Sequence, residues 1–566
     1  MSAPCAGLIR AFWVARGQNV TEGQTLCWLL PLLAGETGQE IAAPEANTPR
    51  ADLLEAEERH ARLLDARRPN AVQKRQKTGQ RTARENVADL CDEGSFFEYG
   101  GLAVAAQRSS RSLESLLEVS PADGVVTGIG TVNAAEFGIE RARAMVVAYD
   151  YTVFAGTQGH ANHKKQDRMF ELASQQELPV VLLAEGGGGR PGDTDGPVRP
   201  TLDVKTFRTF AGLSGRVPLV GVVSGRCFAG NAALLGCCDV IIATENSNIG
   251  MGGPVMIEGA GLGSFPPEAI GPIDVQSKNG VVDVRVSDEA KAVAVAKQYL
   301  GYFQGELKNW SAHDQHLLRP LVPESRMRVY DMRRALELLA DEGTLLELRR
   351  EFGGGMITAL ARLAGRPVGI LANEPSRLAG AIDADAADKA ARFMQLCDGF
   401  GLPLISLCDT PGFMVGPEAE KTALVRHVCR MMVGAAGLRV PLFCVVLRKA
   451  YGLGAMAMAG GNTHAPFFCV AWPSAEFGAM GLEGAVQLAF KKQLNAIADP
   501  ADREKLLRRM VDGLREQGKA INIASHLEID DVIDPAETRN WLVRGLAALP
   551  RARPSQDLRR RFIDPW

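Results

Sequence analysis

Lys165-Gln-Asp-Arg-Met-Phe-Glu-Leu172, followed by Leu178-Pro-Val-Val-Leu-Leu-Ala-Glu185-Gly-Gly187, recurs later in the chain. The second copy is Lys389-Ala-Ala-Arg-Phe-Met-Gln-Leu396, followed by Leu402-Pro-Leu-Ile-Ser-Leu-Cys-Asp409-Thr-Pro411. The spacing from lysine to Leu-Pro is equal in both, as is the spacing from proline to the acidic residue. The copies lie about 224 residues apart, too far for a solenoid repeat, so the pattern marks a duplicated domain. Each copy reads as a helix, a short strand that is apolar throughout, and a turn. Strands without polar alternation between helices indicate a sheet covered on both faces, and hence an α/β fold.

A second block extends the repeat. Val217-Pro-Leu-Val-Gly-Val-Val223 precedes Phe228-Ala-Gly-Asn231, and Val440-Pro-Leu-Phe-Cys-Val-Val446 precedes Tyr451-Gly-Leu-Gly454. Four turns result: Glu185–Arg190, Cys227–Asn231, Asp409–Gly412 and Tyr451–Ala455. Glycine at a strand-to-helix turn permits positive φ and lets backbone N–H groups face a ligand. The helix start adds unpaired donors and partial positive charge. Such turns serve either as phosphate cradles or as oxyanion holes. None matches G-x-x-x-x-G-K-[ST] or the dinucleotide fingerprint, which favours the oxyanion reading. Glycines needed only for helix–sheet packing are the plainer alternative.

The chain has 566 residues, 46% hydrophobic and 23% charged, which is ordinary for a globular protein of several domains. Net charge is −3, which points to neither a nucleic-acid nor a membrane-surface partner. No apolar run reaches about 18 residues, so no spanning helix is expected, and a cytoplasmic location follows by default. The 11 cysteines are scattered and lack C-x-x-C spacing, which predicts free buried thiols and no zinc ribbon. His160 and His163, without a nearby acid, are a weak metal signal; no metal is expected.

Four segments are expected: 1–48, 49–86, 87–325 and 326–566. The first reads as short strands around Gly17–Leu26 and Glu40–Pro44 and resembles a biotinyl/lipoyl carrier domain. In that family a hairpin presents a modified lysine. Here the matching stretch is Leu29–Ala34, and the first lysine of the chain is Lys74. The segment is therefore read as degenerate and unbiotinylated. Residues 49–86 read as an exposed charged helix and a basic connector carrying Arg67, Arg68, Lys74, Arg75 and Lys77, a solvated face.

From about Arg84 to Pro550 the chain resembles the carboxyltransferase component of biotin-dependent acyl-CoA carboxylases. The motifs that carry the resemblance include Arg84-Glu-Asn-Val, Asp123-Gly-Val-Val-Thr-Gly and Asp150-Tyr-Thr-Val-Phe-Ala-Gly. In the second half they include Asp388-Lys-Ala-Ala-Arg-Phe, Asp409-Thr-Pro-Gly-Phe-Met-Val-Gly416, Arg448-Lys-Ala-Tyr-Gly452 and Ala471-Trp-Pro-Ser-Ala-Glu476. The resemblance implies two tandem crotonase-fold domains, hexameric assembly, and active sites that pair an N-half of one subunit with a C-half of another. It implies biotin as cofactor, delivered as carboxybiotin by a partner carrier and biotin carboxylase, and an acyl-CoA as acceptor. Carboxyl transfer then requires backbone donors for two oxyanions, the ureido oxygen of biotin and the thioester enolate.

By motif position, the implied donors are Gly187 and Gly188 in the N-half and Leu453 and Gly454 in the C-half. Ala229 and Gly230 match the turn by which acyl-CoA approaches, with Asn231 in place of a glycine. Tyr451 stands at the substrate side of its turn. Arg190 either meets a phosphate or fixes its loop. Met456 lines an acyl or biotin pocket, or is a core methionine. Asp409 is expected to set a turn, and Lys449 to form an ion pair. A decarboxylase using the same donors in reverse and a non-catalytic scaffold are rival readings. Intact glycine turns in both halves argue against the scaffold.

Overall fold

The computed structural model describes residues 7–31, 49–195, 202–326, 328–549 and 562–566. The chain divides into two compact units, Met1–Glu58 and Arg59–Trp566. In the smaller unit, β1 (Gly7–Phe12) pairs antiparallel with β2 (Cys27–Pro31). A two-stranded ribbon is at best marginally stable alone in water. Residues 32–48, where the remainder of the carrier-like segment was expected, lie outside the described residues. Helix α1 (Ala51–Ala61) has no buried residue, as its charge density predicted.

The larger unit is built on two eight-stranded sheets. The first contains β3 (Phe97–Tyr99), β4 (Val125–Thr131), β5 (Arg143–Tyr149), β6 (Val180–Gly187), β7 (Leu219–Phe228), β8 (Val240–Thr244), β9 (Asn248–Gly250) and β10 (Val284–Val286). Their order is β10-β8-β7-β6-β5-β4-β3, with β9 beside the end of β7. The second contains β11 (Leu346–Leu348), β12 (Met356–Leu363), β13 (Arg366–Asn373), β14 (Leu404–Thr410), β15 (Leu442–Tyr451), β16 (Phe468–Ala471), β17 (Glu476–Gly478) and β18 (Asp531–Val532). Their order is β11-β12-β13-β14-β15-β16-β18, with β17 beside β15. Each sheet opens with three antiparallel strands and continues in parallel. The α/β fold and its duplication are thus as the repeat predicts.

Six helices position the site: α2 (Pro69–Lys77), α3 (His160–Gln176), α4 (Ala229–Gly236), α5 (Glu289–Gln304), α6 (Ala384–Phe400) and α7 (Gly452–Met458). The equivalent helices α3 and α6 are each 17 residues long. β6 and β14 are buried along nearly their whole length, which explains their continuous apolar runs. The halves share one core. Val146, Val181 and Val220 of the first sheet join Leu360, Leu371 and Cys444 of the second, bridged by Tyr299 of α5 and Phe393 of α6.

The lysine that opens each repeat is a buried clamp. Lys165 Nζ donates to the carbonyls of Ala122 and Val125 at 2.9 and 2.5 Å. Lys389 Nζ donates to those of Phe352 and Met356 at 2.9 and 2.7 Å. Each ties its helix to the loop entering β4 or β12. Burial pushes these amines down, to about 8 for Lys165 and about 7 for Lys389. The unfolded chain, with ordinary lysines, therefore binds more protons than the folded chain above about pH 7. Stability from this source is lost as pH falls toward 7 and regained as pH rises. In urea unfolding from about pH 7 to 10, Lys389→Met should flatten the rise by up to ~1.4 kcal/mol per pH unit. Parallel curves for the variant and the parent would contradict this.

Candidate active site

In the N-half, β6 runs into Gly186, Gly187 and Gly188, with φ of +82°, +145° and +81°. The close approach is specific to two of them. A Cβ on Gly186 would overlap the Ala155 carbonyl, and one on Gly187 the Phe228 carbonyl, whereas one on Gly188 would meet open space. Gly187 pairs with Phe228 at the end of β7. There α4 begins, so Gly230 and Asn231 stand in its first turn, where N–H groups lack intrahelical acceptors. The Gln158 N–H donates to the Gly188 carbonyl at 2.8 Å, and the Arg190 N–H to the Gln158 carbonyl at 2.9 Å.

The C-half repeats the arrangement. β14 ends at Asp409-Thr410, and β15 ends at Tyr451, where α7 begins. Leu453 and Gly454 are the second and third residues of α7, again in the turn with unpaired N–H groups. A Cβ on Gly454 would lie 2.6 Å from the Gly412 carbonyl carbon. In each half, then, a helix N-terminus presses against a strand-end turn. The match extends to Gly156 and Gly380, at φ +68° and +87°, packed on the carbonyls of Glu185 and Asp409.

Position one of each helix needs positive φ: Gly452 has +57°, its equivalent Ala229 has +51°. Alanine pays roughly 1–2 kcal/mol for that conformation, so Ala229→Gly is expected to raise stability by about 1 kcal/mol. A lowered denaturation midpoint would refute that strain. Leu453 is not among the positive-φ residues, which is why leucine is accommodated there.

The donor residues named from sequence fall at these contacts, but not at equivalent places. Gly187 and Gly188 belong to a strand-end turn, and Leu453 and Gly454 to a helix start. Their repeat partners in the N-half are Gly230 and Asn231. Asn231 has its side chain buried, donating to the carbonyls of Glu185 at 2.8 Å and Gly156 at 3.1 Å. It cross-links the two main-chain segments where a glycine was expected.

Arg190 is buried. Its guanidinium pairs with Asp123, donates to the Thr157 carbonyl at 2.8 Å, and lies 4.9 Å over the Phe154 ring. That geometry favours loop fixing over phosphate contact. The Tyr451 hydroxyl donates to Glu476 and accepts from Arg326 at 3.0 Å. Ala229 and Gly230 open α4. Met456, 41% exposed, lies at a cavity of about 430 Å³ lined by Cys408, Cys444, Val446, Ala455 and Phe477 among others.

Asp409 accepts from the Lys449 N–H at 3.1 Å, Arg448 Nε at 3.1 Å and the Tyr330 hydroxyl at 2.9 Å. Lys449 Nζ lies 3.3 Å from Asp409 Oδ1 and donates to the Ala379 carbonyl at 2.8 Å, an ion pair within the protein. Glu185, the repeat equivalent of Asp409, is pushed up to about 7 by burial, against the opposing pull of Arg75. His163 Nδ1 is 2.9 Å from Thr206 Oγ1. Every described cysteine is a free thiol.

The expectation of a solvated connector fails at two arginines. The basic connector is not a solvated face throughout, because Arg75 is buried and Arg68 is paired with Asp150 at 2.6 Å. The salt bridges reach the end of β6 and the loop after β5, which shape the N-half turn, over sequence separations of 110 and 82 residues. Nothing local in the sequence reports such partners.

Tandem α/β halves that each set a glycine turn against a helix N-terminus have main-chain geometry able to hold an oxyanion. Residues 74–562 match the carboxyl transferase domain family, and the chain belongs to that family. It is 31% identical over 494 residues to the methylmalonyl-CoA carboxyltransferase 12S subunit of Propionibacterium freudenreichii subsp. shermanii, covering 84% of this chain and 90% of that one. It is also 31% identical over 525 residues to the biotin-dependent long chain acyl-coenzyme A carboxylase beta4 subunit of Mycobacterium tuberculosis, covering 90% and 96%.

Among solved structures, a single-chain, multi-domain long-chain acyl-CoA carboxylase matches with TM-score 0.84 and 57% identity over 96% of this chain. This chain spans 52%, about half, of that one. The transcarboxylase 12S hexamer with methylmalonyl-CoA bound matches with TM-score 0.77 and 29% identity, covering 91% of this chain and 99% of that one. Among the described residues, no helix is long and apolar enough to cross a membrane, and no group of three or more His, Cys, Asp or Glu could hold a metal.

Proposed function

We propose that this chain moves a carboxyl group from carboxybiotin, carried by a partner, to the α-carbon of an acyl-CoA. The observation that carries the proposal is the contact, in both halves, between a strand-end turn and a helix N-terminus that presents main-chain N–H groups. That donor set fits biotin, because the ureido oxygen needs converging neutral donors and no metal. Biotin, when bound, supplies the activated carboxyl group and the base that takes the α-proton.

The chain's own residues do the rest. The N–H groups of Gly187 and Gly188 in one half, and of Leu453 and Gly454 in the other, hold the two oxyanions, each donor contributing about 2.7–4 kcal/mol. Ala229 and Gly230 flank the thioester's approach. Arg190, through Asp123, holds the turn that follows β6. Tyr451, fixed by Glu476 and Arg326, walls the C-half turn. We assign a hexamer, the assembly of the transcarboxylase 12S structure, and within it active sites in which the N-half of one copy faces the C-half of another. The partners are a biotin carboxylase and a biotin carrier, and the setting is the cytoplasm, which suits the free thiols.

The acceptor carries a long apolar chain. The cavity at Met456, about 430 Å³, is mostly apolar and within the range of small-molecule sites, and two of the relatives above act on long chains by name. Purified chain with carboxybiotin carrier and acyl-CoAs from acetyl to palmitoyl should yield alkylmalonyl-CoA, fastest with long chains. No product with any acyl-CoA would sink the proposal, and consumption of malonyl-type thioesters alone would favour the decarboxylase. Met456→Trp should lower kcat/KM for palmitoyl-CoA relative to propionyl-CoA by at least ~10-fold. An unchanged ratio would remove the cavity from the acyl site.

A further inference from the structure

The N-half turn is held from outside its own sheet. Arg75, in α2, has a side chain 7% exposed. Its Nη1 and Nη2 donate in parallel to Glu185 Oε1 and Oε2 at 2.7 and 2.8 Å, and its Nε donates to the Arg81 carbonyl at 2.8 Å. Gln80 Nε2 adds a bond to Glu185 Oε1 at 3.2 Å and another to Ser224 Oγ at 3.3 Å. Arg68, seven residues before Arg75, donates to Asp150 Oδ2 at 2.6 Å and Thr152 Oγ1 at 2.8 Å. Asp150 begins the loop that brings Ala155 and Gly156 against Gly186. The segment 68–80 thus grips both pieces of main chain that shape the turn.

The C-half is built differently. Asp409 is held by Arg448 of the neighbouring strand β15 and by Tyr330, and its carboxylate has no partner from 68–80 among the described residues. Nor does stability account for Arg75. Desolvating a buried ion pair offsets most of its attraction, and an apolar pair of similar volume is often as stable. What two parallel bonds do provide is orientation. Glu185 lies two residues before the first donor, in the last extended stretch of β6.

We propose that Arg75 is a positioning residue for carboxyl transfer: through its paired bonds to Glu185 it sets the direction of the Gly187 and Gly188 N–H groups. The connector ahead of the first sheet therefore completes the N-half site. This inference rests on those two glycines being donors.

The test compares Arg75→Lys and Arg75→Ala with wild type in the full carrier-dependent reaction, alongside thermal unfolding and amide exchange of residues 185–190. Arg75→Lys keeps the charge but not the fork. It should leave unfolding and the KM for acyl-CoA near wild type, lower kcat about 10–100-fold, and speed amide exchange at Gly187 and Gly188. Arg75→Ala should lose more, and added guanidinium ion should restore several-fold what equal sodium chloride does not. Wild-type kcat and exchange in Arg75→Lys would overturn the proposal. So would a kcat loss that only tracks the unfolded fraction, with no guanidinium rescue. Full activity in Gly187→Pro, which removes that N–H, would instead overturn the donor assignment. The exchange measurement stands even if the acyl acceptor is misassigned.

Discussion

Leu453→Pro is expected to lower kcat for carboxyl transfer about 10²–10³-fold, the loss associated with one oxyanion donor. Leu453→Ala should stay within a few-fold of wild type, since its N–H is kept. The pair separates the main chain from the side chain. Leu453 is the second residue of α7, where proline is tolerated because the N–H has no intrahelical acceptor. The fold should therefore survive while the donor is lost. Its side chain is 61% exposed, so truncation to alanine leaves no buried cavity. Comparable kcat values for the two variants would mean that this N–H faces no developing charge.

The second large effect is at Gly187. Gly187→Ala would drive a Cβ into the Phe228 carbonyl, at a φ of +145° that alanine does not adopt. The turn must then separate from the start of α4, breaking the contact on which the donor geometry depends. We expect at least a ~10²-fold fall in kcat. Gly188→Ala also needs a positive φ, +81°, but has open space around the added methyl. It should cost roughly 1–2 kcal/mol of stability with most of kcat retained. Equal kcat losses in the two would show that close approach is not what selects glycine at 187. Steady-state kinetics with thermal unfolding on both variants decides this.

The duplication was legible because its markers are short-range. Leu-Pro ahead of an apolar strand, and an acid (Glu185, Asp409) or an aromatic residue (Phe228, Tyr451) ahead of a turn, survive in both copies. The site's glycines could be listed from sequence, but not ranked. Gly187 and Gly454 are pressed by backbone, whereas Gly188 and Gly189 have space, a difference set by the tertiary fold and not by local sequence. The equivalence of Gly452 and Ala229 was likewise hidden, since alanine gives no hint of positive φ. Lys165 and Lys389 were visible as repeat landmarks, yet their burial against four carbonyls runs against the ordinary habit of lysine. The connector misled for a related reason. Charge density normally means solvent, but Arg75 finds its carboxylate 110 residues away. Arg190 was left between two roles, and its stacking on Phe154 beside Asp123 favours the internal one.

The central claim is that two sets of main-chain donors on one duplicated fold carry out carboxyl transfer to an acyl-CoA. A single-turnover experiment tests it most directly. Carrier loaded with ¹³C-labelled carboxybiotin is mixed with this chain and palmitoyl-CoA, and both thioester and carrier are followed by mass spectrometry. The account predicts that the label leaves the carrier and appears on the α-carbon of the acyl group at matching rates, with Leu453→Pro slowing both together. Label lost from the carrier with no carboxylated thioester, or none lost at all, would contradict it.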